Sequence, residues 1–250
     1  MSRTRWFDSA AITFAVAIVI VLALITHRPD LPATPEHARI DNLQRSDDGH
    51  PSALVLGDSY TAGNGLAEMS YACMAAIRLG WLCNLSAMTG TGYVSGGPAN
   101  RFVVDPYIGE SASFAERIPH LAAAYAPDTV ILDGGRNDRF PPSEDVFNAM
   151  RSTIEDVRRT WPTARVVFIR PRVLNDPRDE IRFDDDFMAR LQSDPAVDGV
   201  IFVDPIASLS DMDTSVMLAA DGMHPNQKGD HAIAEALFQS LAVRGVAGEQ

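Results

Sequence analysis

Serine, histidine and aspartate, three residue types that act together in nucleophilic catalysis, stand at separated points of this sequence. Ser59 follows a short apolar run in the sequence Gly-Asp-Ser, and His224 stands three residues after Asp221. A serine hydroxyl is a weak nucleophile until a base takes its proton. In a loop, a carboxylate at this spacing accepts the Nδ1 proton of the histidine, which leaves Nε2 to take the serine proton. We therefore expect Ser59 as nucleophile, His224 as general base and Asp221 as the acid that orients the base.

Two further turns that follow apolar runs contain hydrogen-bond donors for a developing negative charge. Asn137 carries a side-chain amide, and Gly90 lets a backbone N–H approach a substrate closely. Such donors form an oxyanion hole, and the loss of one typically costs about 3 to 4 kcal/mol of transition-state stabilisation. We expect the oxyanion to be held by Asn137 and by the backbone N–H groups of Ser59 and Gly90. Gly92 competes with Gly90 for this role.

These features occur as four short blocks in the order of a known family. The blocks are residues 57–60, Gly90, residues 135–138, and Asp221 with His224. Together they resemble the sequence blocks of the SGNH hydrolases, also called the GDSL esterase/lipase family, with Tyr60 where leucine is commoner. Each block alone is weak, but the ordered set is specific. The resemblance covers about residues 51–245 and implies a serine esterase or lipase that requires no metal and no organic cofactor.

Other readings of the motifs are less favourable. An α/β-hydrolase is disfavoured because Thr61 occupies the position of the second glycine in the Gly-x-Ser-x-Gly turn of that class. The acid and the base also share one short loop here, whereas in α/β-hydrolases they lie on separate loops. The pair Gly90 and Gly92 is followed by Ser95 where a dinucleotide-binding loop has its third glycine. Three functions stay open. They are an esterase or lipase acting on acyl or acetyl esters of lipids or cell-envelope glycans, an O-acyltransferase with a sugar acceptor, and a non-catalytic glycan-binding domain, which the intact triad disfavours.

Composition limits the class of protein and its partners. The chain has 250 residues, 46% of them apolar and 22% charged, which allows one well-buried domain and an appendage. The formal net charge of −12 repels phosphate backbones and argues against nucleic acid as a partner. The two cysteines, Cys73 and Cys83, have neither a Cys-x-x-Cys spacing nor a histidine cluster, so we expect no zinc site. A disulfide between them and two buried free thiols are both open.

The amino-terminal part is expected to be separate from the domain that carries the blocks. Residues 1–8 are followed by an almost uninterrupted apolar segment, residues 9–26. Because its length is at the short end for a membrane span and no Ala-x-Ala signal follows, we favour an uncleaved anchor over a removed signal peptide. Basic residues before the segment predict a cytoplasmic amino terminus. A proline-bearing linker, residues 27–50, would then lead to residues 51–250 outside the cytoplasm, or to a secreted protein if the segment is cleaved.

Strand and helix patterns alternate through the domain. Short apolar runs that predict strands occur near residues 53, 83, 130, 167 and 201, with helical patterns between them. This alternation predicts an α/β fold, a three-layer α/β/α sandwich around a five-stranded parallel sheet. The family resemblance implies the flavodoxin-like strand order 2-1-3-4-5. In such sheets ligands bind beyond the carboxyl ends of the strands, where Ser59 is expected.

Overall fold

The computed structural model, which describes residues 49–63 and 66–245, contains a five-stranded parallel sheet. Its strands are β1 (Ser52–Gly57), β2 (Leu82–Ala87), β5 (Thr129–Asp133), β6 (Arg165–Ile169) and β7 (Ile201–Val203). A separate antiparallel hairpin consists of β3 (Val103–Asp105) and β4 (Gly109–Glu110). The sheet order is β2-β1-β5-β6-β7. Counted over the sheet strands alone, this is 2-1-3-4-5, so the predicted fold class and order are confirmed.

Five α-helices cover the two faces of the sheet within the described residues. They are α1 (Tyr71–Arg78), α2 (Phe114–Ala124), α3 (Ser143–Thr160), α4 (Asp185–Gln192) and α5 (Gln227–Val243). Helices α1 and α5 pack on one face, and α2, α3 and α4 pack on the other. The helices therefore form the outer layers that the alternating sequence pattern predicts.

The central strand β1 shows why the sheet is buried on both faces. Ala53 and Val55 belong to the core cluster on the α1 and α5 side, and Leu54 and Leu56 belong to the opposite cluster. Successive strand residues point to opposite faces, and all four of these side chains are fully buried. A continuous apolar run is therefore what a doubly covered strand requires.

The segment of residues 181–192 is helical only from Asp185 onward. Helix α4 begins at Asp185, and Asp184 caps it by accepting the Phe187 N–H at 2.8 Å. Ile181 and Arg182 have φ angles of 39° and 76°, in the left-handed region, and lie outside the helix. The Asp184 side chain therefore caps the helix and sets its first residue at Asp185.

The predicted amino-terminal segments are not part of the described structure. Residues 1–8, the apolar segment 9–26 and all but the last two residues of the linker 27–50 lie outside the described residues. Among the residues that are described, no helix combines the length and apolar character needed to cross a membrane.

Cys73 and Cys83 form a disulfide that joins helix α1 to the edge strand β2. The two residues are ten positions apart, and the Cys73 side chain is fully buried. Of the two states left open by the sequence, the structure has the bonded one. A covalent link at this point ties the edge of the sheet to the helix that packs against it.

Replacing both cysteines by alanine is expected to lower the free energy of unfolding by about 3 kcal/mol, because the ten-residue cross-link no longer restricts the unfolded chain. Urea denaturation of the oxidised protein and the double variant measures this. As a control, dithiothreitol should destabilise the native protein and leave the double variant unaffected. Equal urea midpoints for oxidised protein and variant would contradict the prediction.

Candidate active site

Ser59, His224 and Asp221 form a continuous hydrogen-bonded line at the carboxyl edge of the sheet. Ser59 Oγ lies 2.8 Å from His224 Nε2, and His224 Nδ1 lies 2.6 Å from Asp221 Oδ2. With the Nδ1 proton directed at the carboxylate, Nε2 is the acceptor for the Ser59 hydroxyl proton. The fold brings together a hydroxyl and an imidazole that are 165 positions apart, at the distance that activation of a serine requires.

The loop that carries Asp221 is closed by its own hydrogen bonds. Leu218 and Pro225 form an isolated β-bridge across its base. Asp221 Oδ1 accepts the backbone N–H groups of Met223 and His224 at 2.9 and 3.0 Å. The hydrogen bond from the His224 ring, together with these two N–H groups, lowers the pKa of Asp221 to about 2. Asp221 is therefore a carboxylate throughout the neutral pH range, as a base-orienting acid must be.

Tyr60, the residue after the nucleophile, connects this loop to the body of the protein. Its hydroxyl donates to the Met223 carbonyl at 2.5 Å and accepts the Leu174 N–H at 3.0 Å. The centroid of the Tyr60 ring lies 5.4 Å from that of the His224 ring. The Arg136 guanidinium lies 4.4 Å from the centroid of the Tyr60 ring. A leucine at this position has no hydroxyl to make these bonds. The tyrosine therefore does more than fill the apolar position.

The expected oxyanion donors lie in turns that leave three neighbouring strands. Strand β1 lies between β2 and β5, so the turns after these strands, which hold Ser59, Gly90 and Asn137, share one edge of the sheet. Within the described residues, the N–H groups of Ser59 and Gly90 donate to no protein acceptor. Asn137 Nδ2 donates one hydrogen to the Thr91 carbonyl at 2.9 Å, which leaves its second hydrogen available.

The contacts of Gly92 differ from those of Gly90, its competitor for the expected oxyanion role. Its N–H donates to the Ser95 carbonyl at 3.0 Å, and a Cβ at this position would lie 2.3 Å from the Asp138 carboxylate. That carboxylate accepts the backbone N–H groups of residues 93–95 at 2.7 to 3.1 Å. Gly92 is a glycine because Asp138 approaches it so closely. Among the described residues the Gly90 N–H has no backbone acceptor, so the expectation of an oxyanion donor stays with Gly90.

A model of the GDSL-like lipase/acylhydrolase family matches residues 55–232, which include all the residues of this site. The chain belongs to this family. A GDSL lipase of Mycobacterium tuberculosis is 27% identical over 246 residues, which cover 92% of this chain and 96% of the relative. Membership of the GDSL-like family and this relative identify a carboxylic ester hydrolase.

Solved structures of esterases share the fold. The esterase EstA from Pseudoalteromonas has a TM-score of 0.57 at 16% identity, covering 78% of this chain and 98% of its own. Est24, a carbohydrate acetylesterase from Sinorhizobium meliloti, has a TM-score of 0.56 at 17% identity, covering 78% of this chain and 99% of its own. At these identities the likeness shows a common fold.

A cleft of about 730 Å³ lies beside Ser59 in this GDSL-like enzyme. The β3-β4 hairpin forms one wall, and the loop after β1 and the start of α5 form others. Among the described residues that line it, the carboxyl groups are those of Asp105, Asp221 and Asp230, and no lysine or arginine is present. The cleft is therefore electrostatically unfavourable for an anionic substrate.

A buried ionic network lies beneath the nucleophile. Arg136 Nη1 lies 3.0 Å from Asp133 Oδ1 and 3.4 Å from both carboxylate oxygens of Asp58. Asp133 Oδ2 also accepts the hydroxyls of Tyr71 and Thr61. Burial raises the pKa of Asp58 to about 6, and the Arg136 guanidinium acts in the opposite direction. The Arg136 guanidinium is therefore engaged in ion pairs with Asp133 and Asp58.

Arg117 is a second buried cation that sequence reasoning did not identify. Its guanidinium donates to the carbonyls of Ser86 and Gly57 at 2.8 and 3.1 Å and so connects the ends of β2 and β1. Burial lowers its pKa to about 10. The available signal was its position in α2, since it stands three residues after Phe114 and directly before Ile118, on the apolar face of the helix.

Tyr60→Phe is expected to lower kcat by about fivefold with little change in KM. The ring stays in place, but the hydroxyl bond to the Met223 carbonyl, worth about 1 kcal/mol, is lost and the loop of His224 is held less firmly. Steady-state kinetics on p-nitrophenyl acetate measure kcat and KM of the native protein and the variant. Tyr93→Phe is the matched control, because the buried Tyr93 hydroxyl has no partner in the described structure. Equal kcat values for the two variants would reject this role of Tyr60.

Asp58→Asn is expected to change how stability depends on pH. In the folded protein the pKa of Asp58 is about 6, above its ordinary value of 3.8, so the folded state holds the proton more tightly than the unfolded state. The free energy of unfolding of the native protein should therefore fall, relative to the variant, as the pH rises from about 4 to about 6. Urea unfolding at four pH values measures the difference, and parallel curves would contradict the prediction.

Proposed function

We propose that this GDSL-like enzyme hydrolyses carboxylic esters through an acyl-enzyme formed on Ser59. The observation that carries the proposal is the pair of contacts that places His224 within 2.8 Å of Ser59 Oγ and 2.6 Å of Asp221. His224 takes the Ser59 proton as Oγ attacks the ester carbonyl, and it then gives this proton to the departing alcohol. His224 then takes a proton from a water molecule, which attacks the acyl-enzyme, and returns this proton to Ser59 Oγ as the acid is released.

The negative charge on the tetrahedral intermediate would be held by three donors. They are the N–H groups of Ser59 and Gly90 and the second amide hydrogen of Asn137. Asn137 is positioned for this role from both ends, since its amide donates to the Thr91 carbonyl and its backbone carbonyl accepts the Ser95 hydroxyl at 2.8 Å. Donors that are oriented before the reaction stabilise the charge without reorganising as it forms.

The substrates proposed are neutral acyl or acetyl esters of lipids or cell-envelope glycans. The acidic lining of the cleft supports neutral over anionic esters. The carbohydrate acetylesterase from Sinorhizobium meliloti, which has this fold, supports the inclusion of acetylated glycans. The volume of about 730 Å³ lies in the range of sites that hold ligands of this size.

The proposed location of the catalytic domain is outside the cytoplasm, with residues 9–26 as the anchor. The Cys73–Cys83 disulfide supports this location, because such bonds persist in oxidising compartments and are rare in the cytosol. The basic residues before the apolar segment support an amino terminus inside the cell.

Ser59→Ala is expected to lower kcat for p-nitrophenyl acetate by at least about 10³-fold, because the acyl-enzyme cannot form. Initial rates of the full-length protein, native and variant, measure this, and unchanged melting temperatures show that the variant is folded. Comparable rates for the two proteins would remove Ser59 from the mechanism. Acyl transfer that requires an added sugar acceptor, with no release of acid in water, would instead indicate the transferase.

A further inference from the structure

Asp230 is a buried acid in the cleft that the proposed mechanism does not use. It lies in the first turn of α5, lines the same cleft as Ser59 and His224, and is 4% exposed. Its Oδ1 atom is buried and has no hydrogen-bond partner, and no other described residue bonds its side chain. Burying a polar group without a partner is unfavourable, so such a group in a binding cleft requires an explanation.

The other two carboxyl groups of the cleft are already engaged. Asp105 Oδ1 accepts the N–H groups of Tyr107 and Ile108, both at 2.7 Å. Asp221 is bonded to His224 and to the turn that follows it. Asp230 is therefore the cleft carboxyl, within the described chain, whose hydrogen-bonding capacity is unused.

The position of Asp230 is fixed by close packing at the start of its helix. Asn226 caps α5 by accepting the N–H groups of Lys228 and Gly229 at 2.9 and 3.1 Å. A Cβ at Gly229 would lie 2.4 Å from the Met217 carbonyl, so the helix approaches this backbone as closely as a glycine allows. A carboxyl on a helix held in this way is preorganised to bind one group of a ligand.

Asp230 and His224 line the same cleft and are close together in the sequence. Asp230 follows His224 by six residues, and the segment between them includes Pro225, which also lines the cleft. Because His224 gives its proton to the leaving alcohol, that portion of the ester lies beside the imidazole. Burial raises the pKa of Asp230 to about 7, so near neutral pH the group is available both as an acceptor and as a donor.

We propose that Asp230 determines specificity by binding a hydroxyl group of the alcohol portion, so that the enzyme prefers esters of sugars or polyols over esters of simple alcohols. This rests on the proposed function and names the substrate class of the same site. A site built to bond a hydroxyl discriminates against the analogue that lacks it, because its own buried group is then left without a partner. A hydrocarbon chain at this point offers no such donor.

The test compares two acetyl esters of primary alcohols, 6-O-acetylglucose and ethyl acetate, with the full-length protein and acetate release as the readout. The native protein should show the higher kcat/KM for the sugar ester. Asp230→Leu should lower the ratio of the two kcat/KM values by about tenfold, and Asp230→Asn, which keeps a donor and an acceptor, should retain most of it. The matched control is Asp198→Leu, which should leave the ratio unchanged. Asp198 is exposed and precedes the amino end of β7, whereas the active site lies at the carboxyl ends of the strands.

Stability provides the second readout. Asp230→Leu should raise the melting temperature by about 2 to 4 °C, because a buried group without a partner is replaced by an apolar one of similar size. A lower melting temperature would show a structural role and overturn the proposal. An unchanged ratio of the two kcat/KM values in Asp230→Leu would also overturn it, and so would a native protein that shows no preference for the sugar ester. A native preference for 6-O-acetylglucosamine over 6-O-acetylglucose that is lost in Asp230→Leu would indicate an ammonium ligand and would overturn it too.

Failure of this proposal is distinct from failure of the proposed function. If Ser59→Ala abolishes acetate release while Asp230→Leu leaves the ratio unchanged, the mechanism stands and the role of Asp230 is rejected. If Ser59→Ala still releases acetate, the mechanism itself is rejected.

Discussion

The site depends on one buried guanidinium. The Arg136 side chain is 5% exposed and lies between Asp58 and Asp133, whose side chains are fully buried. Without the arginine, two carboxyl groups would be left in the interior, which is why removing one partner of a buried ionic network is strongly destabilising. Asp58 in turn accepts the Tyr60 N–H at 2.8 Å. The charge beneath the nucleophile thereby sets the turn that presents Ser59.

The same cation supports the base through packing. Its guanidinium lies 4.4 Å from the centre of the Tyr60 ring, and Tyr60 bonds the carbonyl of Met223 in the loop of His224. The Arg136 Nε group also donates to the Arg172 carbonyl at 2.8 Å, in the loop after β6. Loops that follow β1, β5 and β6, and the loop before α5, are therefore joined at one point. An active site assembled from distant loops needs such a common support.

The sequence predicted the parts of the structure that depend on local pattern. The five sheet strands are confirmed, because a buried strand is a continuous apolar run. The family and the strand order are confirmed as well, but the order was implied by the resemblance of the four blocks to a known family and not by local pattern. Ser59, His224 and Asp221 lie together as expected, while their catalytic roles stay proposals. Burial of charged residues was not predicted. Arg117 stands on the apolar face of α2, but Arg136 lies in a polar turn after β5, where nothing in the sequence distinguishes it from an exposed arginine.

Asn226 has a consequence for how rate and selectivity vary together. Its side chain caps α5 and also donates to the carbonyls of Val216 and Leu218 at 3.1 and 2.8 Å, just before the loop of His224. His224 stands two residues before Asn226 in the sequence, and Asp230 stands four residues after it. A change that shifts Asn226 therefore acts on the backbone that carries both groups. Altering the alcohol that the enzyme accepts is therefore easier by exchanging the side chain at position 230 than by remodelling the backbone that carries it.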